Sequence, residues 1–250
     1  MPANYARFLV GRDRTVSANR QLGWLLAFVA GAINAGSFLA VQQYTSHVTG
    51  MLSAMADNLA LGHLTLVVDG MVAVLSFLLG SMCCAMLVHL ARRRAMASEY
   101  ALPLLLEAFL ILCFGLLGAQ LAALEGLLLP FTVVLLCFIM GLQNAVVTKL
   151  SGAVIRTTHM TGIVTDLGIE LGKLVYWNAH DITPHETVRA DRDRIKVLGG
   201  LWTAFVLGGV AGAFGFKTVG YGFTIPIAVL LALMSLIPAW DDLTKRGRPL

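Results

Sequence analysis

Long apolar runs dominate this chain, and short polar segments separate them. Six runs are long enough to cross a hydrocarbon core of ~30 Å as helices, which takes about 20 residues each. They cover residues 22–41, 70–90, 101–122, 131–149, 197–216 and 222–240. Two further stretches, 45–66 and 157–174, are apolar but interrupted by polar and charged side chains. A charge at the centre of a bilayer costs about 2.5–3.5 kcal/mol, so these two stretches predict broken or re-entrant helices.

Composition supports the same fold class. The chain has 250 residues, of which 58% are hydrophobic and 13% charged, whereas soluble domains are about a quarter charged. We therefore predict an all-α integral membrane protein that forms a single membrane domain over residues 1–250. No basic face with interleaved aromatic residues is present, which argues against nucleic-acid binding.

Lysine and arginine residues predict the orientation in the membrane. They cluster in the N-terminal segment, at Arg92–Arg94, in a loop at 177–196 and in the C-terminal tail. If 45–66 and 157–174 each enter and leave on one side, all four clusters lie in the cytoplasm together with both termini, as the positive-inside rule requires. If all eight stretches cross instead, Arg92–Arg94 faces outside. We favour about six spans and keep eight as the alternative.

Four pairs of segments match in the same order along the chain. They predict an internal duplication with one repeat half at residues 20–125 and the other at 130–240. The pairs are GAIN (31–34) with GLQN (141–144), TSHVTG (45–50) with TTHMTG (157–162), FLLG (77–80) with FVLG (205–208), and PLLLEAFLIL (103–112) with PIAVLLALMS (226–235). Each half contains three spans, an odd number, so the second half enters the membrane in the opposite sense. This predicts a 3+3 inverted-topology repeat, an architecture common in transporters.

The repeated T-[ST]-H-x-T-G hexapeptide suits the break in each interrupted helix. Its hydroxyl and imidazole groups can satisfy backbone groups freed where a helix begins, and the helix start favours an anionic ligand. We predict a substrate site near mid-membrane lined by Asn34, His47, Thr49, Gly50, Asn144, His159, Thr161, Gly162 and Asp166. In the alternative interpretation the same side chains only bond neighbouring helices, and the glycines only allow close packing.

Three ionisable residues are candidates for proton coupling: His159, Asp166 and Glu107. His159 and Asp166 stand seven residues apart, about two helical turns or ~10 Å. Glu107 is alone in an apolar span, and its counterpart in the second half is Leu230. Glu170 and Lys173 lie about one turn apart and are expected to pair at the membrane interface. We predict no cofactor and no metal site.

The motif pair GxxN…T-x-H-x-T-G, followed by GLQNAVVTKLSG…TTHMTGIVTDLGIELGK, closely resembles the YoaK-like bacterial membrane proteins, grouped as domain of unknown function 1275. The resemblance covers roughly residues 20–240, and its most specific part is 141–173. It implies an integral protein of the bacterial inner membrane with about six spans. It implies no substrate or reaction.

Two classes of function remain open at this stage. The first is a transporter or channel for a small polar or anionic solute, with proton coupling as a candidate property. The second is a membrane-embedded enzyme or a scaffold or regulatory protein. The chain lacks H-E-x-x-H, G-x-S-x-G and cofactor fingerprints, so we expect no enzymatic activity. The expected partners are the lipid bilayer, a small-molecule or ion solute and, because of the small-residue helix faces, a second copy of the chain.

Overall fold

The computed structural model describes residues 8–10, 15–94, 96, 98–121, 125–150, 160–176 and 188–245, with backbone only at 121, 125–127, 150 and 241–245. The described residues are helical, with short turns and no β-strand. The helices are α1 (Val16–Val41), α2 (Val48–Ala60), α3 (Leu64–Arg93), α4 (Ala101–Leu121), α5 (Glu125–Leu150), α6 (Met160–Val175), α7 (Arg192–Val219) and α8 (Thr224–Lys245). A 3-10 turn, Gly220–Phe223, joins α7 to α8.

The described chain contains five stretches that are long and apolar enough to cross a membrane: Val16–Val41, Leu64–Arg93, Ala101–Gln120, Leu128–Lys149 and Arg192–Trp240. The last of them includes α7, the 3-10 turn and α8. The outward side of α3 exposes large apolar residues along its length: Leu75, Leu78, Leu79, Met82 and Met86. A continuous apolar surface of this kind is typical of contact with lipid. The prediction of an α-helical membrane protein is confirmed.

Several helices begin earlier than predicted. α3 begins at Leu64 and not at 70, so it includes the last residues of the predicted broken stretch 45–66. α7 begins at Arg192, inside the predicted loop 177–196. Asp191 caps this helix, because its Oδ1 accepts the backbone N–H groups of Asp193 and Arg194, both at 3.0 Å. Hydropathy shows only the part of a helix that suits hydrocarbon, whereas caps and charged end residues extend the helix beyond it.

Two pairs of long helices pack side by side in a parallel arrangement. α1 runs parallel to α7: Trp24 Nε1 donates to the carbonyl oxygen of Val197 at 3.2 Å, and Gly36, further along α1, packs against the Phe216 ring. α3 runs parallel to α5: Ser76 Oγ donates to the carbonyl oxygen of Val134 at 2.6 Å. Ser81 Oγ donates to that of Gly141 at 2.9 Å.

Four glycines, one in each of GAIN, GLQN, FLLG and FVLG, make these pairings possible. Each lies against a backbone carbonyl of the partner helix, where a Cβ atom would overlap that carbonyl. The contacts are Gly31 on Phe205, Gly208 on Phe28, Gly141 on Phe77 and Gly80 on Phe138. Matched motifs of the two halves therefore make matched contacts, each with the other half of the chain.

The helix ends lie in two groups. α8 begins where α4 ends, since Gly118 packs on the Tyr221 ring and Gly115 on the Thr224 side chain. α7 therefore begins at the end of the bundle where α4 begins, and α1 begins there too because it is parallel to α7. We call this the arginine-rich end, after Arg92, Arg93, Arg192 and Arg194.

The segments around α2 and α6 each leave and return at one end of the bundle. α1 ends and α3 begins at the end opposite the arginines, with α2 between them. α5 ends and α7 begins at the arginine-rich end, with α6 between them. The two short helices are therefore attached to opposite ends of the bundle.

Candidate functional site

After α1 ends, the chain turns back along α1 before α2 begins. Gln42 takes a left-handed conformation (φ 54°), and its N–H closes α1 by donating to the carbonyl oxygen of Phe38 at 2.9 Å. Ser37 Oγ then donates to the carbonyl oxygen of Gln43 at 3.1 Å and shares a hydrogen bond of 2.9 Å with Thr45 Oγ1. Ser37 and Thr45 are fully buried.

The next hexapeptide residue, Ser46, sets the depth at which α2 starts. Its Oγ donates to Asn34 Oδ1 of α1 at 2.9 Å. Asn34 lies seven residues before the last residue of α1, which is about 10 Å along the helix. Asn34 therefore lies beside the break and α2 begins inside the length of the bundle, while the predicted contact of Asn34 with a solute stays a prediction.

His47 occupies the N-cap position of α2. Its N–H donates to the carbonyl oxygen of Tyr44 at 3.1 Å, but its side chain makes no capping hydrogen bond. Gly50 lies under the imidazole ring, where a Cβ atom would overlap Nδ1. The side chains of His47 and Thr49 are exposed in the described chain. Gly50 thus lets the ring of His47 lie over the first turn of α2.

The second hexapeptide is described only in part, because His159 lies outside the described residues. Thr161 and Gly162 lie in the first turn of α6 and are exposed. Thr165 Oγ1 donates to the carbonyl oxygen of Thr161 at 2.8 Å, so this hydroxyl bonds its own helix. The proximity predicted for the two histidines stays a prediction.

α6 also begins inside the length of the bundle. Ile163, in its first turn, is buried with Ala27 of α1 and with Leu198 and Leu201 of α7. Leu201 lies nine residues into α7, about 13 Å from the start of that helix. Ala27 and Asn34 are seven residues apart on α1, so the two short helices start at depths that differ by about 10 Å.

Asn144 occupies the position in α5 that Asn34 occupies in α1, and both are half-buried. The neighbouring Gln143 is fully buried. Its Nε2 donates to the carbonyl oxygen of Leu26 at 3.3 Å, which joins α5 to α1, while its Oε1 has no hydrogen-bond partner in the described structure. Gln143 is not among the site residues that the sequence predicts. The available signal was an amide in an apolar run, at the position that Ile33 takes in the first half.

The end of α6 is held by charged hydrogen bonds. The Glu170 carboxylate accepts Lys173 Nζ at 2.9 Å and the Asp191 N–H at 3.0 Å, and it lies 3.6 Å from Arg194 NH1. These partners hold the pKa of Glu170 below its usual range, the Lys173 hydrogen bond first and the Asp191 N–H second. The predicted pairing of Glu170 with Lys173 is confirmed.

Asp166 belongs to the same group of charges. Its Oδ2 lies 3.0 Å from Arg194 NH2, and both side chains are substantially exposed. Asp166 is therefore compensated by an arginine at the start of α7. Its predicted contact with a solute stays a prediction, and the expected relation to His159 lies outside the described residues.

The model of one protein family, described as a protein of unknown function (DUF1275), matches residues 22–237. The chain belongs to the DUF1275 family. The match confirms the resemblance noted from the motifs, and it includes both hexapeptides and all or part of all eight helices. No curated protein and no solved structure matches the chain.

One further ionisable group of this DUF1275 protein lies apart from the short helices. Glu107 of α4 is completely buried, and neither carboxyl oxygen has a hydrogen-bond partner in the described structure. The sequence predicts Glu107 as a proton-linked candidate because it stands alone in an apolar run.

Proposed function

We propose that this protein is a multi-pass transporter or channel of the bacterial inner membrane for a small polar or anionic solute. In this proposal the long helices α1, α3, α4, α5, α7 and α8 cross the membrane. α2 and α6 are broken helices that enter from opposite sides. The solute binds between their inner ends, near the two hexapeptides.

A 3+3 inverted repeat accounts for the packing of the long helices. The first long helix of each half packs on the second long helix of the other half, and matched glycines make the contacts. An inverted duplication produces such reciprocal contacts between the halves, because the two halves are related by a pseudo-two-fold axis in the membrane plane.

The distribution of charge supports the proposed orientation. The arginine-rich end carries Arg92, Arg93, Arg192 and Arg194, whereas Lys217 lies near the other end of α7. By the positive-inside rule the arginine-rich end is cytoplasmic. α1 begins and α8 ends at this end, so both termini are cytoplasmic in the proposal.

The observation that carries the proposal is the position of the two short helices. α2 has 13 residues and α6 has 16, or about 20 and 24 Å, which is less than a bilayer core requires. Each begins within the length of the bundle and runs outward to a different end. Their free backbone N–H groups and positive dipole ends thus point inward, where a polar or anionic solute is stabilised.

Flux through sealed proteoliposomes tests the proposal. The purified full-length protein is reconstituted, and uptake of labelled chloride, phosphate, mono- and dicarboxylates and amino acids is compared with protein-free vesicles. We expect saturable uptake of at least one probe. Asn34→Ala is expected to reduce it severalfold, because Ser46 then loses the acceptor that sets the start of α2.

Thr218→Ala is the matched control. Its hydroxyl donates to the carbonyl oxygen of Phe214 in its own helix and bonds neither short helix in the described structure, so flux is expected to stay at the wild-type level. If the folded, reconstituted protein moves none of the probes, the transport proposal is wrong, and a scaffold or regulatory role takes its place.

A further inference from the structure

Glu107 lies in a buried part of the bundle. It is 0% exposed, and Leu104, Ala108 and Ile111 around it on α4 are buried as well. Glu107 is the sixth residue after Ala101, the first residue of α4, so it lies about 9 Å from the arginine-rich end of that helix. α4 packs against α3, α5 and α8.

The helices that pack on α4 offer this carboxyl group no partner. Cys84 of α3 is close enough to interact with it electrostatically, and Lys149 of α5 interacts with Cys84. Neither lies within ion-pair distance of Glu107 among the described contacts, and both carboxyl oxygens lack a hydrogen-bond partner. The other ionisable residues of these elements are Asp69, Cys83, His89, Arg92 and Arg93 of α3, Glu125 and Cys137 of α5, Cys113 of α4 itself and Tyr221 of the 3-10 turn; α8 contributes none from Thr224 to Trp240.

The fold does not require an acid at this position. The counterpart of Glu107 in the second half is Leu230, which is apolar and partly exposed. A buried carboxylate without partners is strongly disfavoured, whereas a protonated carboxyl group is neutral and far easier to bury. A metal cation would need several oxygen ligands, and the described residues contain no cluster of three or more His, Cys, Asp or Glu that could hold one.

We propose that Glu107 is a proton-binding site of the transport cycle. Its carboxyl group carries a proton in the state described here. When α4 moves relative to α3 and α5, the O–H bond breaks, the proton passes to water at the arginine-rich end, and the carboxylate remains until it is protonated again. This proposal rests on the proposed transport function for its role, but the protonation itself is measurable without transport.

Infrared spectroscopy of the full-length protein in detergent measures the proton directly, because the carbonyl stretch of a carboxylic acid is separate from the bands of a carboxylate. At neutral pH, Glu107→Gln is expected to remove one carboxylic-acid band from the wild-type spectrum. Glu99→Gln is the control and is expected to leave that band in place, since Glu99 pairs with Arg92 at 2.8 Å. Identical acid bands in wild type and Glu107→Gln would overturn the proposal.

Folding of the variants is measured separately. Glu107→Leu places the residue type of position 230 in α4 and is expected to keep the thermal stability of the wild type or raise it. If both variants fail to fold, the wild type is treated with dicyclohexylcarbodiimide, which attacks protonated carboxyl groups in apolar surroundings. A mass-spectrometric adduct on Glu107 supports the proposal, and its absence overturns it.

Proteoliposomes connect this site to transport. With an inward gradient of one pH unit, a carrier that moves one proton with each solute accumulates the solute about tenfold. We expect accumulation in the wild type and none in Glu107→Gln, which should still exchange solute at equilibrium. Flux that ignores the pH gradient in both proteins contradicts the proton site but leaves transport standing. Absence of flux in both contradicts the proposed function, and the infrared result then decides the proton site alone.

Discussion

The α2–α3 junction and the α6–α7 junction lie at matching positions of the two repeat halves, but different side chains form them. Asn58 of α2 and Glu170 of α6 each stand eight residues after the glycine of their hexapeptide. His63 and Asp191 each stand 17 residues before the glycine of FLLG or FVLG, and each is the N-cap residue of the next long helix. In the first half Asn58 forms a hydrogen bond with His63, and in the second half Glu170 forms one with Asp191.

The strength of the two junctions differs. At the α2–α3 junction, Asn58 Oδ1 and His63 Nδ1 share one exposed hydrogen bond of 3.3 Å. At the α6–α7 junction, the Glu170 side chain is only 2% exposed and bonds Lys173 as well as the Asp191 N–H. Charge-assisted hydrogen bonds are shorter and about twice as strong as neutral ones.

Packing follows the same division. α2 has no buried residue, whereas α6 buries Ile163 and Glu170. A segment with few buried contacts opens at a lower free energy than one that is anchored. We therefore expect α2 to open locally more readily than α6. In the proposed orientation, the helix on the outer side is the more mobile of the two.

The largest effect is expected from removing the carboxylate of the charged junction. Glu170→Ala leaves the Asp191 N–H, Lys173 and the start of α7 without their shared acceptor. Amide hydrogen exchange across α6, followed by mass spectrometry, is expected to accelerate about tenfold. Asn58→Ala, the matched change in the other half, removes two exposed neutral hydrogen bonds, one with His63 Nδ1 and one with the Ala54 carbonyl oxygen. It is expected to accelerate exchange in α2 by less than about threefold. Equal effects in the two halves would contradict the difference described here.

An intermediate effect is expected from acid. Because the pKa of Glu170 in the folded protein is lowered, ionisation of this group stabilises the folded junction. That contribution is complete above the ordinary glutamate pKa of about 4.3, and it is lost as the pH falls through the lowered value. Exchange protection of α6, corrected for the intrinsic rate, should therefore be constant at neutral pH and should fall under acid.

Glu170→Gln is the control for this pH dependence. The amide keeps the shape of the side chain and an acceptor for the Asp191 N–H, but it does not titrate. The protection of α6 in this variant is expected to be lower at neutral pH and to lose the acid step. An acid step that persists in Glu170→Gln would show that another group is responsible for it.

Much of the fold follows from the sequence because bilayer thickness restricts helix length. The predicted span 101–122 matches α4 within one residue at its C-terminal end. The pairing of Glu170 with Lys173 follows from helical spacing alone. The start of α7 at Arg192 does not follow from hydropathy, because it depends on the cap that Asp191 provides.

The contacts of the candidate site were harder to predict because they join distant parts of the chain. Nothing local to Glu170 indicates that its carboxylate accepts the N–H of Asp191, 21 residues later. The hydrogen bond from Ser46 to Asn34 spans a reversal of the chain that the hexapeptide alone does not specify. The duplicated motifs indicated that both residues lie near a break, but the partner of each depends on tertiary packing.

The smallest effect is expected from building the charged junction into the other half. Position 58 corresponds to position 170 of the second half, and position 66 corresponds to position 194. The double variant Asn58→Glu with Leu66→Arg therefore places a carboxylate and a guanidinium at the positions equivalent to Glu170 and Arg194. Leu66 is about half exposed, and exposed ion pairs contribute only about 0–1 kcal/mol. Hydrogen exchange in α2 is therefore expected to slow by about two- to fivefold in the double variant.

Asn58→Glu alone should slow it less, because the new carboxylate then has only His63 as a partner. If the double variant protects α2 no better than the single one, positions 66 and 194 are not equivalent, and the correspondence between the two junctions is limited to the pairs 58–63 and 170–191.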